Sequence, residues 1–313
     1  MKALFTYDYG EEKMNHIREL GYEVEYHNER EIETYKKAED VDVLVCYNPF
    51  SKIDLKAFKN LKLIQLSSIG IDQVPKHDVE EIGITVCNNR GGYSIAIGEW
   101  IVLKALELMK NSKKLYRQQE NKQWCMDTSL FEIYKKKIVF LGTGSIATEA
   151  AKRFQGFGAE IIGLNTRGRD VEYFDKCFAM SDMEMILPEG DIVIVSLPYT
   201  KETHHLLDKK ALGYLKKSAY LINIARGNII DENEMITCLK NGLIKGAALD
   251  VFEEEPLPKK NMLWDLDNVI ITPHNCWISE MRNERRFDGI YSNLEHYIHD
   301  KDLDNVVDMK RGY

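Results

Sequence analysis

The sequence predicts an α/β protein made of two doubly wound parallel-sheet domains, with one domain inserted in the other. Short apolar runs alternate with helical patterns along the chain, and continuous runs of this kind are typical of strands that are covered on both faces. The runs fall into two series on either side of a long apolar helix, and the 313 residues suffice for about two domains. Two series indicate two α/β units rather than one barrel.

The first series begins with a strand–helix–strand pattern at the N-terminus. Its strands are predicted at 2–8, 42–48, 61–67 and 84–88. The long helix follows from Ile95 to Met109, where Glu99, Lys104 and Glu107 interrupt the apolar residues. A bilayer requires about 20 apolar residues in a row, so this segment is predicted to be a buried helix.

The second series has six runs. Its strands are predicted at 136–142, 159–165, 191–198, 219–225, 244–251 and 268–274. The segment after His274 is predicted to be helical to the C-terminus and to return to the first domain. The expected division is therefore 1–93 plus 285–313 for a substrate domain and 94–284 for a dinucleotide-binding domain.

Composition excludes several classes of protein. The chain is 44% hydrophobic and 29% charged, with a net charge of −8, and an acidic field disfavours nucleic acid or an anionic membrane as a partner. The N-terminus lacks the apolar segment of a signal peptide. Six cysteines are scattered without a CxxC pair, which predicts reduced thiols in a cytoplasmic protein. No clustered metal ligands are seen, so no metal site is expected.

A glycine-rich loop follows the first strand of the second series. Gly142 and Gly144 come between a strand and a helix, with Ala147 as the small third residue of the pattern. Glycines there permit a tight turn and close approach of a pyrophosphate, whose charge suits the N–H groups of Ser145 and Ile146 at the helix start. Because a second strand follows, the loop predicts a Rossmann dinucleotide site rather than an ordinary turn.

The stretch "GLNTRGR" determines which dinucleotide is expected. In NAD-dependent chains an acid about twenty residues beyond the glycines binds the ribose hydroxyls and repels a 2′-phosphate. Asn165 occupies that position here, and Thr166 and Arg167 offer a hydroxyl and a guanidinium that suit a phosphate. We therefore expect NADP rather than NAD. The alternative is that Arg167 and Arg169 face water while Asn165 binds an unphosphorylated ribose.

Three polar residues follow three strands of the second series. Arg226, Glu255 and His274 come after apolar runs, and loops at the carboxyl ends of parallel strands form the ligand crevice of such sheets. Histidine can donate and accept a proton near neutrality, a carboxylate fixes its tautomer, and a guanidinium offers two parallel donors to a carboxylate. Together they predict reduction of a 2-oxo acid to a 2-hydroxy acid.

Nearly the whole chain resembles the D-isomer-specific 2-hydroxyacid dehydrogenase family. The resembling stretches are "LSSIGIDQV", "VCNNRGGYSIAIGEW", the glycine loop, "VSLPYTKETHHLL", "NIARGNIID", "ALDVFEEEPLP" and "TPHNCW". The spacing from Arg226 to Glu255 is 29 (255 − 226), and from Glu255 to His274 it is 19 (274 − 255), close to that of the family. The resemblance implies a flavodoxin-like substrate domain and a homodimer formed through the helix near Ile95 and the segment after it.

The resemblance also implies roles for single residues. His274 is the acid/base, Glu255 its partner, and Arg226 the residue that holds the substrate carboxylate with help from the N–H groups of Ile69 and Gly70. Residues expected near the nicotinamide half of the cofactor are Leu197, Pro198, Thr203, Ile224, Ala225, Arg226, Asp250 and His274. Trp277 is expected to form an aromatic wall of the substrate pocket or to pack a hinge between the domains.

Two other functions remain open from the sequence. The chain could bind a nicotinamide cofactor as a regulatory or corepressor-like protein with little turnover, since "CW" after the histidine also resembles a corepressor of this fold family. It could also be a dehydrogenase of another substrate class, such as formate or a phosphonate. The intact set of Arg226, Glu255 and His274 favours a 2-hydroxyacid enzyme.

Overall fold

The computed structural model describes residues 1–312, which form two compact units. The first unit comprises Met1–Tyr93 together with the chain from Ser279 onward, and the second is Ser94–Ile278. The chain therefore passes between the units at 93/94 and 278/279. The sequence-based division places the same two passages at 93/94 and 284/285.

The first unit contains a five-stranded sheet whose strand order is β2-β1-β3-β4-β5. All its strand pairs are parallel. The strands are β1 (Lys2–Phe5), β2 (Glu23–Tyr26), β3 (Val43–Cys46), β4 (Leu63–Leu66) and β5 (Thr85–Cys87). This order is that of flavodoxin-like sheets, in which ligands bind where the order reverses, here between β1 and β3. Helices α1 (Glu11–Glu19) and α2 (Lys76–Ile82) lie in the connections.

The last helix, α9 (Arg282–Ile298), belongs to the first unit. Phe287, Ile290 and Leu294 share one buried cluster with Phe5 and Ile17. The expectation that the helix continues to the C-terminus is wrong, because the chain leaves the helix after Ile298 and returns to the sheet. There the N–H of Val307 donates to the carbonyl of Val86 at 2.8 Å.

The second unit contains a seven-stranded sheet whose strand order is β12-β11-β10-β9-β6-β7-β8, with every pair parallel. The strands are β6 (Lys137–Leu141), β7 (Glu160–Asn165), β8 (Lys176–Ala179), β9 (Ile192–Val195), β10 (Tyr220–Asn223), β11 (Gly246–Leu249) and β12 (Val269–Ile271). Counted from β6, six strands have the Rossmann order 3-2-1-4-5-6, with β12 added at one edge. The predicted fold class is confirmed.

The second unit also contains six α-helices. They are α3 (Ser94–Met109), α4 (Ser112–Glu120), α5 (Ser145–Gln155), α6 (Met183–Ile186), α7 (Lys209–Leu212) and α8 (Glu232–Lys240). The first of these crosses α5 closely, since a Cβ at Gly98 would lie 3.1 Å from the backbone nitrogen of Ala150. Among residues 1–312, no helix is long and apolar enough to cross a membrane.

Candidate active site

The glycine loop lies at the carboxyl end of β6, where the strand order of the second sheet reverses. Gly142 has φ +98°, and a Cβ there would lie 2.8 Å from the carbonyl oxygen of Ser196, so a side chain is excluded. At Gly144, by contrast, a Cβ would meet no atom within 4 Å. Gly142 is packed against Ser196, whereas the space beside Gly144 is open. A pyrophosphate could therefore approach the backbone at Gly144.

The start of α5 offers donors to that open space. The first helical hydrogen bond runs from the N–H of Thr148 to the carbonyl of Gly144, at 2.9 Å. The N–H groups of Ser145 and Ile146 therefore precede the helical hydrogen bonds and are available to an anion. The hydroxyl of Ser145 is 2.9 Å from that of Ser94 on α3. The loop thus fits the phosphates of a dinucleotide.

Asn165 ends β7, and its side chain is 91% buried within the loop that follows. Its Oδ1 accepts from the N–H groups of Arg167 and Arg169 at 3.2 and 3.0 Å, and its Nδ2 donates to the carbonyl of Arg169 at 2.8 Å. An aspartate could not make the last bond. The sequence did not reveal that Asn165 shapes this loop, because these partners are backbone groups.

The loop held by Asn165 presents its charged side chains outward. Thr166, Arg167 and Arg169 are exposed, while Gly168 has φ +66° and packs near the backbone of Ala179. Within residues 1–312, the guanidinium of Arg167 makes no ion pair. The loop therefore presents an exposed guanidinium to the solvent.

The loop after β9 contains three of the predicted cofactor residues. Leu197 is partly buried against the core of the unit, and its Cδ2 would be 3.3 Å from a Cβ at Gly142. The hydroxyl of Thr203 donates to the carbonyl of Pro198 at 2.8 Å and accepts from the N–H of Thr200 at 2.7 Å. Thr203 thus closes a turn within the loop that follows β9.

Arg226 follows β10 in a tightly packed loop. The side chain of Asn223, 1% exposed, accepts from the N–H of Ala225 at 3.0 Å and donates to the carbonyl of Arg226 at 3.0 Å. Ile224 and Ala225 are themselves buried. At Gly227 a Cβ would lie 1.9 Å from the carbonyl carbon of Phe252. The backbone that carries Arg226 is therefore fixed against the loop that carries Glu255.

His274 and Glu255 form a direct hydrogen bond between their side chains. Nδ1 of His274 lies 2.7 Å from Oε2 of Glu255, and the other carboxylate oxygen accepts from the N–H of Phe252 at 3.0 Å. The two side chains are 40% and 35% exposed. Because an ionised carboxylate only accepts, Nδ1 carries a proton and Nε2 is left to face a reactant.

The electrostatics of Glu255 keep it ionised. Burial raises the pKa of this carboxyl, but the hydrogen bonds from His274 and the Phe252 N–H, together with the charge of Arg226, outweigh burial and lower the pKa below its ordinary value. Both Arg226 and His274 therefore act electrostatically on Glu255. The structure brings together the residues that the sequence analysis grouped.

Asp250 fixes the backbone that carries His274. It is fully buried, and its carboxylate accepts from the hydroxyl of Thr272 at 2.6 Å and from the N–H groups of Asn275 and Cys276 at 3.1 and 2.9 Å. His274 itself has φ +50°, which is unusual for a residue other than glycine. The sequence analysis assigned Asp250 to the cofactor and did not anticipate its bonds to the backbone of this loop.

Trp277 and Glu253 form further hydrogen bonds in the loops that carry His274 and Glu255. Trp277 donates from Nε1 to the carbonyl of His274 at 2.9 Å. Glu253 accepts from Nε2 of His205 at 2.9 Å and from the N–H of Glu232 at 3.1 Å. Of the three consecutive glutamates, Glu253 is therefore engaged by His205 and Glu255 by His274. The pairing of His205 was not anticipated.

The first unit contains the loop that was predicted to hold a substrate carboxylate. Its carbonyl groups accept from side chains: that of Ile69 from Nδ2 of Asn88 at 3.0 Å, and that of Gly70 from the hydroxyl of Ser68 at 2.9 Å. Among residues 1–312, the N–H groups of Ile69 and Gly70 donate no hydrogen bond. Two adjacent free donors in a fixed loop can bind a carboxylate.

One group of potential metal ligands lies on the surface of the first unit. Ligand atoms of His77, Asp78 and Glu81 lie within 4.8 Å of one another. The carboxylate of Glu81 already forms an ion pair with Lys56 at 2.9 Å. Exposed groups of this kind are common without a metal, and none of the three belongs to the predicted site.

Comparisons with known proteins show the family of the chain. Residues 102–276 match the family model of the D-isomer specific 2-hydroxyacid dehydrogenase NAD binding domain. The chain is 35% identical over 251 residues to a glyoxylate reductase of Thermofilum pendens, covering 77% of this chain and 74% of the relative. It is 30% identical over 269 residues to a glycerate dehydrogenase of Methylorubrum extorquens, covering 83% of each.

A solved structure shares the fold over the full length. The D-isomer specific 2-hydroxyacid dehydrogenase from Xanthobacter autotrophicus Py2, in complex with NADPH and MES, is similar with a TM-score of 0.86 and 26% identity. The similarity covers 100% of this chain and 99% of that chain.

Proposed function

Because the chain belongs to the D-isomer specific 2-hydroxyacid dehydrogenase family and is an NAD(P)-dependent oxidoreductase, we propose that His274, Glu255 and Arg226 carry out its reaction. The substrate is a small 2-oxo acid, reduced to the D-2-hydroxy acid, or the same pair in reverse. The observation that carries the proposal is the 2.7 Å hydrogen bond between His274 and Glu255, with Arg226 close enough to stabilise the ionised carboxylate.

Each residue has a distinct part. When bound, the nicotinamide supplies or accepts the hydride at the substrate carbon. Arg226 binds the substrate carboxylate and carbonyl with its planar pair of donors. Nε2 of His274 donates the proton to the carbonyl oxygen during reduction and accepts it from the hydroxyl during oxidation. Glu255 holds the imidazole through Nδ1 and favours its protonated form.

The test is turnover with a panel of 2-oxo acids that begins with glyoxylate, the substrate named for the Thermofilum pendens relative. Loss of reduced-nicotinamide absorbance with at least one acid is the expected result. Cofactor binding without turnover of any acid would instead favour the regulatory, corepressor-like function.

The Glu255→Gln variant tests the partner of the histidine. The pKa of Glu255 is lowered, so the wild-type carboxylate stays ionised as the pH falls into the mildly acidic range, and it stabilises the imidazolium. Without that charge, the carboxylate partner no longer stabilises the imidazolium. We expect reductive kcat/KM to decline at a lower pH in Glu255→Gln than in the wild type.

The exposed Glu254 provides the control for this variant. Glu254→Gln removes the same charge from the neighbouring position without touching the hydrogen bond to His274. Its pH profile should match that of the wild type. Coincident profiles for both variants would show that Glu255 does not set the protonation of the histidine.

We infer a preference for NADP over NAD from the loop of Asn165. Three features support this inference. Position 165 carries an amide and not an acid, and Thr166 and Arg167 are exposed. The guanidinium of Arg167 has no ion-pair partner among residues 1–312. A charge-assisted hydrogen bond to the 2′-phosphate is worth about 10- to 100-fold in affinity. Wild-type kcat/KM should therefore be higher with NADPH than with NADH on the same acid.

Arg167→Ala should remove that preference while leaving kcat/KM for NADH unchanged. Arg169→Ala serves as the comparison. The side chain of Arg169 lies near Cys177, and we expect it to contribute less to the preference for NADPH. An enzyme that is faster with NADH would show that the missing acid does not indicate a phosphate site.

The remaining contacts of substrate and cofactor stay proposals. The free N–H groups of Ile69 and Gly70 support their assignment to the substrate carboxylate. Trp277 is assigned to the substrate pocket, and Asn165 to the adenosine end of the cofactor through the loop it shapes. The residues assigned to the cofactor near the nicotinamide are Leu197, Pro198, Thr203, Ile224, Ala225 and Asp250.

We also propose a homodimer in the cytoplasm. The segment after α3 and α4 exposes large apolar side chains, with Trp124 at 102% and Met126 at 90% of their reference exposure. Apolar surface of this kind favours association, and the segment is the one that the family resemblance predicts for dimerisation. All six cysteines are free thiols, as expected in a reducing compartment.

A further inference from the structure

A cluster of tyrosines around one guanidinium lies in the first unit. We call it the Arg286 cluster; it consists of Tyr7, Tyr9, Tyr93, Asn283 and Arg286. Tyr7 and Tyr9 follow β1, at the point where the strand order of the first sheet reverses. In open α/β sheets this point is where ligands bind.

The guanidinium of Arg286 lies against two aromatic rings. Its Cζ is 4.8 Å from the ring centre of Tyr7 and 5.5 Å from that of Tyr9, both within cation–π distance. One terminal nitrogen donates to Oδ1 of Asn283 at 2.6 Å. All of these partners are neutral, so Arg286 is oriented without being neutralised.

The charge of Arg286 has no counter-ion in the part of the chain that the structure describes. Among residues 1–312, no carboxylate forms an ion pair with it, and its Nε is buried without a hydrogen-bond partner, as is the hydroxyl of Tyr9. A partly buried cation without a counter-ion is costly. Its cost is offset when an anion binds, which is the arrangement expected of a recognition site.

The cluster is linked to the loop that carries Ile69 and Gly70. The hydroxyl of Tyr93 donates to the carbonyl of Ser67, two residues before Ile69, at 2.5 Å. Burial raises the pKa of Tyr93, while the charges of Arg286 and Arg282 oppose that increase, Arg286 also through a hydrogen bond. Tyr93 thus joins the loop and the guanidinium within the same unit.

We propose that Arg286 selects 2-oxo acids whose side chain ends in a second anionic group, a carboxylate or a phosphate. This inference rests on the proposed 2-oxo acid reductase function and on the assignment of Ile69 and Gly70 to the acid's own carboxylate. The tail of the substrate then extends toward Arg286, whose flat donor set suits an oxyanion, while the phenol rings of Tyr7 and Tyr9 hold the guanidinium in place.

The test compares acids of matched size. Oxaloacetate carries a carboxylate tail, 4-methyl-2-oxopentanoate replaces that carboxylate with an isopropyl group, and 3-phosphohydroxypyruvate carries a phosphate. We expect wild-type kcat/KM to be about 10- to 100-fold higher for at least one anionic acid than for the isopropyl acid. The better of the two anionic acids identifies the oxyanion.

Arg286→Gln should abolish that difference through KM, with little change in kcat or in activity on the isopropyl acid. Arg286→Lys keeps the charge but loses the planar pair of donors. It should therefore recover part of the preference for the anionic acid. Arg285→Gln removes one charge from the adjacent position of α9 and should keep the wild-type preference.

The possible outcomes distinguish the role of Arg286 from the proposed 2-oxo acid reductase function. Turnover of glyoxylate without preference for an anionic tail would overturn the role of Arg286 alone, and the wild-type protein suffices to show it. An equal loss on all acids in Arg286→Gln, accompanied by a lower Tm, would show a structural clamp instead. No turnover of any acid would overturn the proposed function and this inference with it.

Discussion

Replacement of His274 by alanine should abolish 2-oxo acid reduction while cofactor binding persists. The imidazole is the proposed proton donor to the carbonyl oxygen, and loss of one acid/base group lowers kcat by about 10²-fold or more. The cofactor loop at Gly142 and Gly144 does not involve this side chain, so the affinity for NADPH should remain. The measurements are kcat with glyoxylate and fluorescence titration with NADPH.

A second variant of His274 is needed because the backbone of this residue has a positive φ. Its φ of +50° is unfavourable for alanine, whereas asparagine adopts this region more readily. His274→Asn should lose activity to the same degree, which separates the missing imidazole from backbone strain. His204→Ala is the control, because His204 is exposed and its ring lies beside those of Tyr199 and His205. Turnover near the wild-type value in both His274 variants would exclude the residue from the chemistry.

Replacement of Arg226 by lysine should raise KM for the 2-oxo acid sharply. Lysine keeps the charge but loses the planar pair of donors that binds a carboxylate. The loss corresponds to at least one charge-assisted hydrogen bond, about 10- to 100-fold in kcat/KM. Steady-state kinetics with glyoxylate measures it.

An arginine-to-lysine exchange on α5, away from the proposed substrate contact, is the control for this variant. Arg153 lies at the surface of the second unit and pairs with Glu149 within the same helix. Arg153→Lys should leave KM unchanged. A wild-type KM in Arg226→Lys would contradict the proposed contact with the substrate carboxylate.

The sheets could be predicted from the sequence because their strands are short, continuous apolar runs. Runs such as 191–198 and 219–225 coincide with β9 and β10, whose residues are buried throughout. The strand β8 was not predicted, because its residues are partly exposed at the sheet edge and lack such a run. Residues after Ile298 were assigned to a helix, although their position is set by pairing with β5, a contact that local sequence does not encode.

The candidate site was predictable as far as residue types and loop positions allow. Parallel strands place their following loops at one edge, which is why Glu255 and His274 could be grouped before their hydrogen bond was seen. The supporting bonds were not predictable. Asp250 and Asn165 act through backbone groups of their own loops, and the hydrogen-bond partners of a buried polar side chain depend on geometry that spacing alone does not give.

The return of α9 to the first unit has a consequence for the order in which the chain folds during synthesis. The N-terminal sheet cannot complete its core until Phe287 and Leu294 have been made, since both share a cluster with Phe5. The bond from the hydroxyl of Tyr22 to the carbonyl of Leu294 spans 272 residues. Ribosomes add about 5–20 residues per second, so the N-terminal segment waits many seconds with apolar strands uncovered. The second unit is continuous in sequence and can fold first, and the first unit closes last.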